Sequence, residues 1–234
     1  MSTHEIVHIR VPEGMQWMVY HSIVLSDMTA IMRYHEHQSL KDCLESIGIP
    51  HTEVESCFVD SQQVSNTHIM LPDEVITIEP RRSIPFKEQS FLLDVHLGKL
   101  TTYLRLLGFD AVYFSSIEHE KLLEGAEGSV ILTRSRDLLK HKRVSEGMLI
   151  RDTQTQEQLR EVMRRYQLKD SYRFLYRCPN CNGLLQEVSK ESVAQELEAE
   201  TLLWIESYFR CPSCSKIYWY GSHYTKLEEL LSRL

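Results

Sequence analysis

The sequence predicts an α/β chain of three modules: a small mixed sheet crossed by one helix, a parallel strand–helix module, and a cysteine-built ribbon. Three observations carry that expectation. Charge is divided, with three basic and twelve acidic residues over positions 1–80 but twelve basic and six acidic over Arg134–Arg177. From Ser90 to Tyr166, apolar runs of strand length alternate with amphipathic runs of helix length, as in a parallel sheet. Near the carboxyl end, Cys178-Pro179-Asn180-Cys181 and Cys211-Pro212-Ser213-Cys214 repeat one C-P-x-C turn. With 234 residues the chain suits two or three small domains, and the expected boundaries are 1–82, 88–170 and 171–234.

The first module begins with Glu5–Val11, β-branched and alternating, ended by Pro12-Glu13-Gly14. The stretch after it carries no clear period. Ser39-Leu40-Lys41-Asp42 then reads as a helix N-cap with an acid three residues on; Leu40, Leu44 and Ile47 share one face, and Gly48 stops the helix. Glu55–Val59 and Glu74–Glu79 are short strands separated by polar turn residues. One helix crossing a small mixed sheet is the β-grasp, or ubiquitin-like, arrangement. Conjugation would need a free terminal Gly-Gly, whereas here the last strand runs into Glu79-Pro80 and a Pro-flanked linker. The expected role is therefore scaffolding, or binding a protein partner.

The second module opens with Ser90-Phe91-Leu92-Leu93, a buried strand that delivers Asp94 at its carboxyl end. A helix follows, with Leu97, Leu100, Leu104 and Leu107 forming a core-facing stripe, and Gly108 ends it. Phe109–Phe114 is a second strand, Glu120–Ala126 a helix, Ser129–Leu132 a third strand, and Thr133–Asp137 a polar loop. Gln156–Tyr166 is a further helix with Leu159, Val162 and Met163 inward. Sites in parallel sheets form outside the carboxyl ends of strands. Asp94 and the 133–137 loop fall there.

The third module is a zinc ribbon. Two C-P-x-C turns aim four thiolates at one point, a closed tetrahedral cage for structural Zn²⁺ held by Cys178, Cys181, Cys211 and Cys214. Disulfides require an oxidising compartment, and no apolar signal segment opens the chain. No run approaches the ~18 apolar residues of a membrane span, so a soluble, cytoplasmic protein is expected. Cys43 and Cys57 read as small buried hydrophobes. Leu184–Val188 and Lys216–Tyr220 are the ribbon's strands, with a terminal helix over Thr225–Leu234.

Carboxylates at strand ends can hold Mg²⁺ or Mn²⁺, which favour oxygen ligands and stabilise phosphoryl transition states. Asp94 is the principal candidate, although it also suits the N-cap of the helix that follows. Asp137 and Glu120 are secondary candidates, and Asp110 reads as structural. Aromatic residues interleave with bases at Tyr172-Arg173-Phe174, Tyr176-Arg177 and Tyr218-Trp219-Tyr220, the last followed by His223. Such pairs suit stacking on unpaired bases. Arg134, Arg136, Lys140, Arg173, Arg177, Trp219 and His223 are the expected nucleic-acid contacts.

Phe91-Leu92-Leu93-Asp94-Val95-His96-Leu97-Gly98-Lys99-Leu100, Tyr103–Asp110 and Ile131-Leu132-Thr133-Arg134 resemble the Mut-seven C-terminal RNase domain of the PIN-like (PilT N-terminus) superfamily. The two cysteine turns, with Ile217-Tyr218-Trp219 and Gly221–Tyr224, resemble its attached zinc ribbon. Pro50–Val54 and the strand into Glu79-Pro80 are similar to the ubiquitin-like domain fused ahead of it. The resemblance implies a metal-dependent ribonuclease whose acidic site includes Asp94. It also implies an acid directly after Thr-Arg, where this chain has Ser135. A serine hydroxyl can hold a metal-bound water but does not neutralise a cation, and Asp137 stands two residues on. The alternative is an RNA-binding or adaptor protein with a weakened metal site.

Overall fold

A computed structural model describes residues 5–87, 89–115 and 118–232, without the side chains of residues 119 and 223. From the amino end come β1 (Ile6–Arg10), β2 (Leu25–Ser26), β3 (Thr29–Arg33), α1 (Leu40–Ser46), β4 (Val54–Val59), β5 (Gln62–Val64) and β6 (Val75–Pro80). Next are β7 (Phe91–Leu93), α2 (Gly98–Leu106), β8 (Ala111–Tyr113), α3 (His119–Glu124) and β9 (Val130–Thr133). Then follow α4 (Arg136–Lys140), β10 (Gly147–Leu149) and α5 (Thr155–Arg165). The carboxyl part holds β11 (Gln186–Val188), α6 (Lys190–Val193), α7 (Ala199–Trp204), β12 (Tyr208–Arg210), β13 (Ile217–Trp219) and α8 (Ser222–Leu231). The chain divides into two compact units, residues 1–82 with Ser135–Leu149 and Ser83–Arg134 with Ile150–Leu234.

The first unit is built on a six-stranded mixed sheet in the order β2-β3-β1-β6-β4-β5, with β1 parallel to β6 and the other paired neighbours antiparallel. Its helix α1 starts where a cap is available: Ser39 Oγ accepts from the Asp42 N–H at 3.1 Å, and its hydroxyl donates to Asp42 Oδ2 at 2.7 Å. Leu40, Leu44 and Ile47 are fully buried with Ile9 and Ile76, each side chain contributing ~1.5–3 kcal/mol by leaving water. Gly48 ends the helix at φ +102°, and a Cβ there would meet the Met18 carbonyl oxygen at 2.6 Å. The aperiodic stretch contains the β2–β3 hairpin, whose turn residues Asp27 and Met28 have φ of 52° and 60°. A turn of this kind is usually marked by Asn-Gly or Asp-Gly. Met28 carries no such signal, which is why the hairpin is silent in the sequence.

Ser135–Leu149 belongs to this unit. The Leu149 N–H donates to Glu53 Oε1 at 2.6 Å, and His51 bridges Glu45 Oε1 (Nδ1, 2.8 Å) and the Val144 carbonyl (Nε2, 2.9 Å). The polar loop expected at 133–137 is in part helical. Ser135 Oγ accepts from the Leu138 N–H at 3.4 Å and opens α4, while Leu138 and Leu139 are buried.

In the second unit β7 lies between β9 and β8, parallel to both, with Phe91 opposite Val130 and Ala111. All three residues of β7 are buried, as expected of a strand covered on both faces. The stripe Leu97, Leu100, Leu104 and Leu107 is buried, as are Leu159, Val162 and Met163 of α5, against which α2 packs. The ribbon is a separate antiparallel sheet in the order β11-β12-β13. Among the described residues no helix is long and apolar enough to cross a membrane.

Candidate functional site

Asp94 stands at the carboxyl end of β7, where the strand gives way to a 3-10 turn over Val95–Leu97. Its Oδ1 accepts from the His96 N–H at 2.9 Å, so it is the N-cap of that turn. Its Oδ2 accepts from the Thr133 hydroxyl and from the Arg134 N–H at 3.3 Å, both at the end of the neighbouring strand β9. The carboxylate is thus held by three donors from two strand ends. Asp94 is 9% exposed and Thr133 fully buried, so these charge-assisted bonds act at low dielectric and fix the carboxylate's direction. The imidazole of His96 lies beside it, Nδ1 3.4 Å from Oδ1, and is mostly exposed. Arg134 is exposed at the same strand end.

The other acids expected at this site are placed differently. Glu120 is exposed in the first turn of α3. Its neighbour Glu118 turns back onto Ser115, accepting from that residue's N–H and hydroxyl, and those bonds hold its carboxyl below the usual carboxylate range. Asp137 belongs to the first unit, where its carboxylate is almost fully exposed 3.8 Å from Lys140 Nζ. Ser135 caps α4 in that unit. Among the described residues of the second unit, Asp94 and Glu120 are not gathered into a group of three or more metal-ligating side chains. Asp94 alone still suits Mg²⁺ or Mn²⁺, because such ions are commonly held by one or two carboxylates with waters and substrate phosphates completing the shell.

The cysteine centre is built from two equivalent knuckles. In each, the first cysteine's N–H donates five residues ahead (Cys178 to the Gly183 carbonyl, Cys211 to the Lys216 carbonyl), and its carbonyl accepts four residues ahead, from Asn182 and Ser215. Asn182 and Ser215 both adopt positive φ, 70° and 60°. The four Sγ atoms lie within 4.8 Å of one another, with Cys178–Cys214 at 3.6 Å and Cys181–Cys211 at 3.4 Å. Four thiolates ~2.3 Å from a central Zn²⁺ would stand ~3.8 Å apart, so the cage fits that ion. The Tyr218 hydroxyl lies 3.2 Å from Cys178 Sγ. Burial and the nearby sulfur push its phenol up, and the protonated hydroxyl can donate to a thiolate at Cys178.

The ribbon is tied to the α2–β8 end of its own unit by polar bonds. Asn182 accepts from the Ala111 N–H at 3.3 Å and donates to Asp110 Oδ1 at 2.6 Å. Arg105 donates to the carbonyls of Ala111, Pro179 and Asn180 at 2.7, 3.3 and 2.9 Å. Arg177 donates to the Asn182 carbonyl and pairs with Asp110 Oδ2 at 3.3 Å. Asp110 therefore serves assembly.

Of the other expected nucleic-acid contacts, Arg136 donates to the Trp17 carbonyl and lies over the Tyr20 ring; Lys140 Nζ donates to the Tyr20 hydroxyl at 2.7 Å. Arg173 is exposed, its guanidinium 5.7 Å from the centroid of Tyr176. Trp219 is half-buried, edge-on to Tyr208, and the His223 side chain lies outside the described residues. Sequence reasoning did not single out Thr133, His96 or Tyr218 as supporting groups. The available signal is the strand-end position of Asp94 as an N-cap, whose carboxylate accepts from the N–H two residues on and so brings residue 96 beside it.

Residues 89–231 match the family model described as Mut7-C RNAse domain, and residues 6–84 match the one described as Mut7-C ubiquitin. No curated protein and no solved structure matches the chain.

Proposed function

The chain belongs to the Mut7-C RNAse domain family, and from that premise we propose that it hydrolyses RNA phosphodiester bonds at the Asp94 strand end. The observation that carries this reading is the Asp94 carboxylate, fixed by Thr133, Arg134 and His96 at the carboxyl ends of two parallel strands. A Mg²⁺ or Mn²⁺ held at Asp94 would supply charge neutralisation at the scissile phosphate and a more acidic water. The chain's residues do the rest. Asp94 holds one fixed acceptor direction at the rim of the sheet. Arg134, exposed beside it, offers its guanidinium to a phosphate oxygen. His96, mostly exposed 3.4 Å from the carboxylate, is placed to pass a proton to the leaving oxygen.

We assign residues 88–170, apart from the Ser135–Leu149 segment that belongs to the first unit, to cleavage and 171–234 to a ribbon stapled by Zn²⁺ on Cys178, Cys181, Cys211 and Cys214. The four-cysteine cage is closed, leaving no position at which water could react. The β-grasp module, 1–82, offers a surface to a protein partner.

The test is RNA cleavage by the full chain with Mn²⁺, with Mg²⁺ and with a chelator, alongside Asp94→Asn of equal folded content. Metal-dependent cleavage lost in the variant is the expected result. Equal, background-level rates from both proteins would end the reading.

A further inference from the structure

At the opposite end of β7 from Asp94 lies a cavity of about 460 Å³, within the second unit. Gln89, just before β7, and Asp110, just before β8, place it at the amino ends of the strands. The volume falls in the ~300–1,000 Å³ range of small-molecule sites. Its aromatic lining includes Phe86 and Phe109, packed edge to face at 5.4 Å, and Tyr172. Tyr176 also lines it, stays 42% exposed, and has the Arg173 guanidinium over its ring.

The charges select the ligand. Two arginines and two aspartates line the cavity, and Arg177 and Asp110 already pair with each other. Exposed Arg173 and Asp170 remain, the latter making no side-chain bond among the described residues. A neutral lining with one carboxylate acceptor, one amide (Gln89) and aromatic faces suits a nucleobase, whose edge carries donors and acceptors and whose faces stack. It does not suit a di- or triphosphate, whose several negative charges would face Asp110 and Asp170.

We propose that this cavity is a base-binding subsite for unpaired RNA, anchoring one nucleotide away from the scissile position while Arg173 meets its phosphate. The proposal rests on the ribonuclease reading for the identity of the polymer. Gln89 and Asp94 are five residues apart on extended chain, about 16 Å at ~3.3 Å per residue. A substrate engaging both ends therefore carries an unpaired stretch of several nucleotides.

The experiment is a fluorescence-anisotropy titration of the full chain carrying Asp94→Asn, so that RNA is not consumed. Its probes are a short single-stranded oligoribonucleotide, the same strand in duplex, and AMP, GMP, CMP and UMP as competitors. Tyr176→Ala is expected to weaken single-strand binding about tenfold, as loss of one stacked base does, while Tyr176→Phe retains it. Arg173→Ala should weaken binding and lower the salt slope by about one. Bound zinc and the melting temperature monitor folding.

Unchanged single-strand affinity in Tyr176→Ala overturns the proposal. So does binding of mononucleotides with no RNA binding, which would assign the cavity to a free nucleotide. Cleavage separates the two ideas. If the wild type cleaves RNA and Tyr176→Ala changes neither binding nor KM, the subsite fails and the ribonuclease reading stands. If binding falls in Tyr176→Ala but the wild type never cleaves, the subsite stands and the ribonuclease reading fails.

Discussion

The Thr133 hydroxyl donates to the Asp94 carboxylate between two adjacent parallel strands, linking residues 39 positions apart. Thr133→Val keeps the shape and removes the donor, leaving Asp94 with two backbone N–H partners and the His96 ring beside it. Loss of a buried bond to a charged group should cost ~1.5–3 kcal/mol of stability. Cleavage should fall roughly 10–100-fold, the usual effect of losing an outer partner of a ligating group. Thr133→Ser should restore both. Melting curves and steady-state rates on the three proteins check this.

Zinc removal should act on the ribbon. Cys214→Ser is expected to abolish bound zinc, measured by elemental analysis, and to lower the melting temperature. Tyr218→Phe removes only the hydroxyl beside Cys178 and should weaken zinc affinity about 10–100-fold with the fold intact. Unaltered affinity in a chelator competition would leave that hydroxyl without a role at the metal.

Gly108 and Gly128 make a paired test. Both have positive φ, +86° and +73°, but a Cβ at Gly108 would lie 2.3 Å from the Arg173 carbonyl oxygen, whereas at Gly128 it meets nothing within 4 Å. Gly128→Ala should cost ~1 kcal/mol, the strain of the left-handed region alone. Gly108→Ala should cost more than ~2 kcal/mol, because a backbone oxygen has to move. Denaturant titration of both resolves the difference.

Burial pushes the thiols of Cys43 and Cys57 up to about 11 from an ordinary value of 9.0, with Asp42 adding to the effect at Cys43. A thiol raised in the folded state contributes stability that is complete below its unfolded value and lost as pH rises through the folded one. Stability should therefore decline between about pH 9 and 11. Both thiols should react with a thiol reagent at pH 8 only after denaturant unfolds the chain, and prompt reaction in the native protein would contradict their burial.

Ser135 caps α4, and aspartate caps as well as serine does. Ser135→Asp should therefore fold normally while placing a carboxylate directly after Arg134. Cleavage at limiting Mn²⁺ should rise severalfold. An unchanged metal titration would show that a carboxylate at position 135 adds nothing to metal binding.

Much of this architecture was legible because its signals are local. The leucine stripe of α2, the Ser39 cap, the Gly48 stop and the C-P-x-C turns each lie within a few residues of sequence, so period and spacing reveal them. Asp94 was legible as a strand-end acid and as an N-cap, and it is an N-cap whose other carboxylate oxygen is held by β9. The hairpin at Asp27-Met28 was not, because Met28, where a glycine would mark the turn, does not advertise the left-handed backbone it adopts.

By itself, the sequence determined the three kinds of module, the strand end that carries Asp94, and the four cysteines that share one point. Only the tertiary structure decided that Thr133 locks Asp94 and that Asp110 joins the ribbon, through Asn182, 72 positions away. It also assigned Ser135–Leu149 to the unit of the first module. The physical reason is range. Periodicity and capping act over one or two turns of chain, whereas a hydrogen bond between distant side chains depends on strand order and register, which no single segment specifies.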